Sequence, residues 1–337
     1  MQADWQQFLE MQGAHIEEGI VQHFGNIDAE LAAASDENTL CDLGQFSFLR
    51  VSGEDAQSFL QNLLSNDIKE VTAARAQHSS FNTAKGRMLA SFLIFMEGND
   101  YLLQLPGTLA EMLRKKLSMY VLRAKVKIAL DEKIALGISG PSIKPPVDCS
   151  ELPVLGVART ENASVIRLGD TRFLLFTQIE NAKALWQTLR ENAMPVGSAC
   201  WDWLNIRAGI PVIVEKTQEE FVPQMVNFDL IGGINFKKGC YPGQEIVARM
   251  HYLGKLKRRM YLAHVEGCAK PGDHLYSEDM AGQSSGMIAN AAAAPDGGYD
   301  VLAVVQIASH DTQEIHLGSL QGEALHFEPL PYALPTA

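Results

Sequence analysis

The chain has 337 residues, 47% hydrophobic and 20% charged, a globular composition with room for about two domains and a core that needs no disulfide or metal staple. A net charge of −12 argues against general nucleic-acid binding, which needs a positive face, and no apolar run reaches the ~18–20 residues of a membrane span. Met1 to Glu10 has neither the basic nor the apolar segment of a secretory leader, and all 28 Lys and Arg lie between Arg50 and Lys270, so an anion site is expected in that middle stretch.

Residues 1–40 open with an acidic amphipathic stretch and close on the polar run Ser35 to Asn38. Ser52 and Asp55 form a helix-start signal; Ala56, Phe59, Leu60, Leu63 and Leu64 follow helical spacing, and Asn66-Asp67 ends the element. Met88 to Met96 and Tyr101 to Leu105, separated by Glu97-Gly98-Asn99-Asp100, predict a β-hairpin. Thr108 and Glu111 predict a capping box opening a helix toward Tyr120, and Ala124 to Leu130 alternates as a strand with one wet face. Phe173 to Phe176 followed by Ala182, Leu185, Trp186 and Leu189 repeats this strand-then-helix order, with Pro145-Pro146 as the connector between the two modules. After about Met260, short apolar stretches alternate with turns such as Pro271-Gly272-Asp273 and Asp296-Gly297-Gly298, which predicts a small antiparallel barrel or sandwich. The mixture of elements is α+β.

The cysteines, Cys41, Cys149, Cys200, Cys240 and Cys268, are widely spaced and form no C-x-x-C. That spacing argues against a disulfide scaffold and against a metal site held by this chain alone, and a reducing cytoplasm is the natural setting. Phosphate-loop, nucleophile-elbow and H-E-x-x-H signatures do not occur.

Unusual chemistry concentrates in Lys237-Lys238-Gly239-Cys240-Tyr241-Pro242-Gly243-Gln244-Glu245. Pro242 suits the first position of a helix continued by Ile246, Val247 and Met250. A cysteine at that helix start, behind two lysines, feels positive potential that favours the thiolate. Gly239 and Gly243 permit close backbone approach. The alternative is a small buried residue in a tight turn. From Lys237 to Arg259 there are seven Lys or Arg (Lys255, Lys257, Arg258 and Arg259 among them) against one Glu, a local charge of +6. The stretch suits a polycarboxylate, a phosphate or an acidic protein, or else a solvated helix end. Arg114, Lys115, Lys116, Arg123, Lys125 and Lys127 form a second cluster, best read on its own as wet helix and strand faces. A couple between Cys240 and His251 is conceivable, and Trp203 suits core or pocket wall.

The cysteine motif, with Val247-Ala248-Arg249, resembles the signature of the YgfZ family of folate-binding proteins. Ala208-Gly209-Ile210-Pro211, Phe221-Val222-Pro223-Gln224, Ser52 to Gln61 and Lys85-Gly86-Arg87-Met88-Leu89 are also similar to that family. The resemblance implies the fold of the glycine-cleavage T-protein, an aminomethyltransferase that uses tetrahydrofolate: interwoven α+β modules around a central folate channel, here residues 1–258, and a C-terminal β-barrel, residues 259–337. It further implies a cytoplasmic monomer that binds tetrahydrofolate or a derivative and supports iron–sulfur clusters in client enzymes, including tRNA-modifying ones. The resemblance also implies that Cys240 is the reactive thiol. Lys237, Lys238, Gly239, Tyr241, Gly243, Gln244, Glu245, Arg249, Trp203 and Arg207 are the candidate folate contacts, and no resident metal is expected.

Two departures matter. Aligning Gly86 with the T-protein's glycine-rich strand start puts Ala90 and Ser91 where that protein carries an acid pair, and neither side chain can serve as a carboxylate base. Conventional aminomethyl transfer is therefore not expected, although a folate-dependent one-carbon transferase is one rival reading. A thiol redox protein built on Cys240 and a binding adaptor without a small ligand are others. Relatives often carry an acid where this chain has Arg207, which offers no acceptor to a pterin, so Glu215 or Asp229 is the substitute to look for.

Overall fold

The computed structural model describes residues 1–252, 254 and 256–335, so the expected role of Lys255 lies outside the described residues. The chain divides into two compact units that alternate along the sequence. The first comprises Met1–Ala56, Glu70–Gln77 and Leu93–Trp201, and the second Gln57–Lys69, His78–Phe92 and Asp202–Ala337.

The first unit is built on two large sheets, beside a small two-stranded one formed by His15–Glu17 and Ile20–His23. In one, six strands run in the order Val157–Arg159, Ala163–Arg167, Arg172–Thr177, Ile134–Ser139, Thr39–Asp42, Met194–Val196. Arg172–Thr177 is central and buried at every position, which is why its middle, Phe173 to Phe176, reads as an unbroken apolar run. The N-terminal helix Ala3–Met11 lays Trp5, Phe8 and Leu9, at i, i+3 and i+4, into the core with Leu40, Leu136, Val165, Leu175 and Trp186. Trp5 also donates from Nε1 to the buried Asp42 carboxylate at 2.7 Å, and burial pushes Asp42 up to about 6.

In the other sheet, Leu93–Glu97 of the strand Met88–Glu97 pairs with Asp100–Pro106, which is followed by Phe46–Ser52 and then by Lys127–Asp131 at the edge. Phe95 stacks on Phe176 at 4.2 Å, and Phe48 meets both rings edge-on, so the two sheets share one aromatic seam. Arg50 spans this sheet: its guanidinium reaches Glu97 at 2.5 Å, Asp100 at 2.8 Å and Asp131 at 2.6 Å. The first basic residue of the chain is thus a cross-strand strut. The predicted hairpin and both strand-then-helix modules are present, the helices being Gly107–Ser118 and Ile179–Leu189. The predicted capping box at Thr108 is not formed. The helix opens at Gly107 behind Pro106, and Glu111 pairs instead with Arg114 and Lys115.

In the second unit, the strands Arg258–Val265, His274–Tyr276, Ser284–Ala293, Tyr299–Gln306, His316–Leu317 and His326–Glu328 form one antiparallel sheet whose order begins and ends on different strands. The C-terminal barrel expected from the sequence is thus a half-barrel among the described residues. Its core is Tyr261, Ala263, Val265, Leu275, Ile288, Val301, Ala303 and Val305. The remaining segments of this unit carry the cysteine motif.

Candidate functional site

The motif loop is held mainly through the main chain. Ser65 Oγ donates to Gly233 O at 2.8 Å, Asn66 Nδ2 donates to Gly232 O at 2.7 Å, and Asn235 N donates to Ser65 O at 3.1 Å. These bonds fix the approach to Lys237 and Lys238. The sequence marks Asn66-Asp67 only as the end of a helix, and its second task here has no local signal.

Lys238 turns inward. Its Nζ donates to Gln61 O at 2.6 Å and Leu64 O at 2.5 Å, closing the C-terminal end of the helix Ala56–Gln61. It also lies 5.1 Å from the centroid of the buried Tyr241 ring. A cation at a helix C-terminus is well placed electrostatically, but burial lowers Lys238 to about 8. Lys237 remains exposed, and its backbone N–H donates to Asn235 Oδ1 at 2.8 Å. The two lysines before the thiol therefore do different work.

After Tyr241 the backbone passes through Gly243 at φ +79. A Cβ there would stand 2.5 Å from Gly86 Cα, Gly86 N and Thr83 O, so the motif turn sits directly on the turn formed by Thr83 to Arg87. Gly86 is itself at φ +71. The left-handed Gly243 also corrects the sequence-based helix start. A residue at positive φ cannot belong to a right-handed helix, so the helix begins at Gln244, not at Pro242. Cys240 consequently lies four positions ahead of the helix rather than at its first turn.

Cys240 and Cys268 are exposed, whereas Cys41, Cys149 and Cys200 are buried. Around Cys240, Gly239 is open, and a Cβ added to it would meet nothing within 4 Å. Gln244 Nε2 donates back to Lys238 O at 3.3 Å, while Glu245 and Arg249 are exposed. Val247 is fully buried, and its carbonyl accepts from Gln224 Nε2 at 2.6 Å. His251 stacks on Phe236 at 3.8 Å with Tyr252 edge-on, an aromatic role the sequence did not suggest. Among the described residues, no group of three or more His, Cys, Asp and Glu is placed to hold a metal ion.

Trp203 and Arg207 belong to a different set of contacts. Trp203 Nε1 donates to Asp300 Oδ2 at 2.8 Å, and Arg207 Nη1 reaches the same oxygen at 3.3 Å and Glu328 at 2.6 Å. His264 Nδ1 lies 2.9 Å from Asp300 Oδ1. Of the two acids considered as substitutes for a pterin-binding carboxylate, Asp229 is engaged by Arg259 at 2.7 and 2.8 Å, and Glu215 is exposed. At the position of the acid pair, Ala90 is fully buried and Ser91 Oγ accepts from Ile213 N at 3.0 Å.

A family model described as the GCVT N-terminal domain matches residues 2–145. The tRNA-modifying protein YgfZ of Shigella dysenteriae serotype 1 is 30% identical over 312 residues, covering 88% of this chain and 94% of its own; that of Escherichia fergusonii is 31% identical over the same shares. The glycine cleavage system aminomethyltransferase T of Bartonella henselae superposes with a TM-score of 0.79 at 17% identity, covering 96% of each chain, and shows the shared fold.

Proposed function

The chain belongs to the YgfZ family within the glycine-cleavage T-protein superfamily, and from that premise we propose that it binds a folate derivative and supports iron–sulfur enzymes, tRNA-modifying ones among them. The observation that carries this reading is the exposed Cys240 thiol on a loop whose neighbours are anchored in main-chain contacts, in a chain with Ala90 and Ser91 where an acid pair would act. Such a loop presents sulfur outward while keeping its own position. A thiolate is a soft ligand able to touch iron or sulfur transiently.

Two buried polar atoms of the second unit suit a folate. Asn82 Nδ2 and Gln224 Oε1 have no hydrogen-bond partner among the described residues, and a pterin ring carries acceptors that suit the one and donors that suit the other. When bound, the folate would supply a one-carbon carrier, and the chain's part would be to hold the ring and its tail. For the anionic glutamate tail, Lys237 and Arg249 are the exposed cations of the motif. Lys238 is spent on Gln61 and Leu64, so the tail contact is assigned to the other two. The cell compartment in this reading is the cytoplasm.

The test is Cys240→Ser. Serine is nearly isosteric, but its hydroxyl stays protonated at neutral pH and is a poor soft-metal ligand. The variant should fold, titrate tetrahydrofolate like the parent, and fail to restore iron–sulfur enzyme activity in cells lacking the protein. Full restoration by a stable Ser variant would remove the thiol from the mechanism.

A further inference from the structure

In the first unit, the segment from Met112 to Leu130 carries six Lys or Arg and no Asp or Glu, in a chain of net −12. The helix Gly107–Ser118 packs Leu109, Ala110, Leu113 and Leu117 inward. Its outer side then presents Met112, Lys115, Lys116 and Met119, spaced as i, i+3, i+4 and i+7, which places them on one face. The loop that follows adds Tyr120, Leu122 and Arg123, and the edge strand Lys127–Asp131 adds Leu130, whereas Lys127, three positions earlier, points to the opposite face of that strand. Large apolar side chains are unusually exposed here: Met119 by 68%, Leu122 by 89% and Leu130 by 49%.

Leu122 is the most informative of them. It sits at φ +46, a conformation that costs a leucine free energy, and it points almost wholly into solvent. The loop around it is ordered by its own bonds, from Tyr120 N to Leu117 O, Val121 N to Ser118 O and Ala124 N to Val121 O. Glycine or asparagine would suit such a tip better on every local ground.

The charges on this face are unevenly committed. Arg114 and Lys115 share Glu111, and Lys125 pairs with Glu54. Lys116 and Arg123 have no ion-pair partner among the described residues. An apolar centre with a cationic rim is the pattern of a protein-docking surface. Two uncommitted cations in an acidic chain are too few for tight hold on a nucleic-acid backbone, and the centre is chiefly aliphatic, with a single aromatic ring rather than a stacking platform.

We infer that this face, centred on Leu122 and rimmed by Lys116 and Arg123, docks the iron–sulfur client enzyme through an acidic surface with an apolar contact at its middle. The inference rests on the functional reading above and names the partner's chemistry for it.

The experiment uses the full chain in cells lacking the protein, with the iron–sulfur-dependent modification level of tRNA as readout. The parent chain should restore modification. Leu122→Gly, which relieves the positive φ, should melt no lower than the parent yet restore at least tenfold less. The double variant Lys116→Glu/Arg123→Glu should fail similarly while still titrating tetrahydrofolate normally. A photo-crosslinking residue placed at Met119 should join to an iron–sulfur protein in the parent background and not in the double variant. If the parent itself restores nothing, the functional reading falls, and this assignment with it. If the parent restores modification and both variants match it, only the surface is refuted. Crosslinks to RNA alone, or to no protein, would also overturn it.

Discussion

Lys238 and Cys240 are two residues apart and show how far residue type alone can mislead about role. Both stand in the same motif, yet one side chain is buried and the other exposed. The difference is set by main-chain acceptors: Gln61 O and Leu64 O face inward, and only a long cationic side chain can reach both. Carbonyl oxygens belong to every residue, so no sequence pattern reports them, whereas the density of Lys, Gly and Cys in the motif is visible at once. Lys238→Met keeps the stem and removes the donors. It should destabilise the chain by about 1–3 kcal/mol, because two carbonyls lose their partner, and it should loosen the thiol loop. Calorimetry from pH 7 to 10 adds a sign test. The folded value of about 8 lies below the 10.5 of the unfolded lysine, so the unfolded parent binds more protons between them. Stability of the parent should therefore gain from this group as pH rises through that window, a gain that Lys238→Met abolishes. A variant as stable as the parent, with the same pH response, would refute the anchoring role.

At the scale of elements, local patterns and long-range pairings behave differently. The hairpin Met88–Glu97 and Asp100–Pro106 and the two strand-then-helix modules are legible because turn residues and periodicity are local. Thr39–Asp42 escapes sequence reading because it is only four residues long and buried at each of them, and its parallel partner Met194–Val196 lies more than 150 residues away. Phe46–Ser52 escapes because Arg50 interrupts its apolar run, and the three acids that receive Arg50 come from other strands. The motif turn is an intermediate case. Two glycines can be seen in the sequence, but which one is obligatory depends on Gly86, far earlier in the chain. Gly243→Ala forces a left-handed alanine into contact with Gly86 and Thr83 and should cost about 2–4 kcal/mol from backbone strain and overpacking together. Gly239→Ala meets nothing and should change stability by less than about 0.5 kcal/mol. Thermal melts of the pair decide the matter, and equal losses would mean that the turn-on-turn contact is not the constraint. A folate titration on the stable Gly239→Ala variant then asks whether a ligand needs the bare backbone there.

For the molecule as a whole, the two units carry buried titrating groups of opposite sign. In the first, burial raises Asp42 to about 6 from an ordinary 3.8. Its folded form holds a proton more tightly than the unfolded chain does, so this contribution is fully present below about pH 3.8 and is lost as pH rises through 6. In the second, burial lowers His78 to about 4 from 6.5. The unfolded chain now binds the proton more tightly, so this contribution is present above pH 6.5 and is lost as pH falls through 4. Each swing is on the order of 3 kcal/mol at most. Acidification from pH 7 to about 4.5 should therefore weaken the second unit relative to the first. Hydrogen exchange followed by mass spectrometry should show protection falling first in His78 to Asn82 and the segments around Phe228, which His78 faces edge-on at 6.4 Å, while the helix Ala3–Met11 and its sheet hold. His78→Gln keeps a polar side chain but cannot take up the proton. It should flatten the acid response of the second unit and leave that of the first unchanged. Parallel loss of protection in both units of the parent, or an unaltered acid response in the variant, would assign the acid sensitivity to other groups.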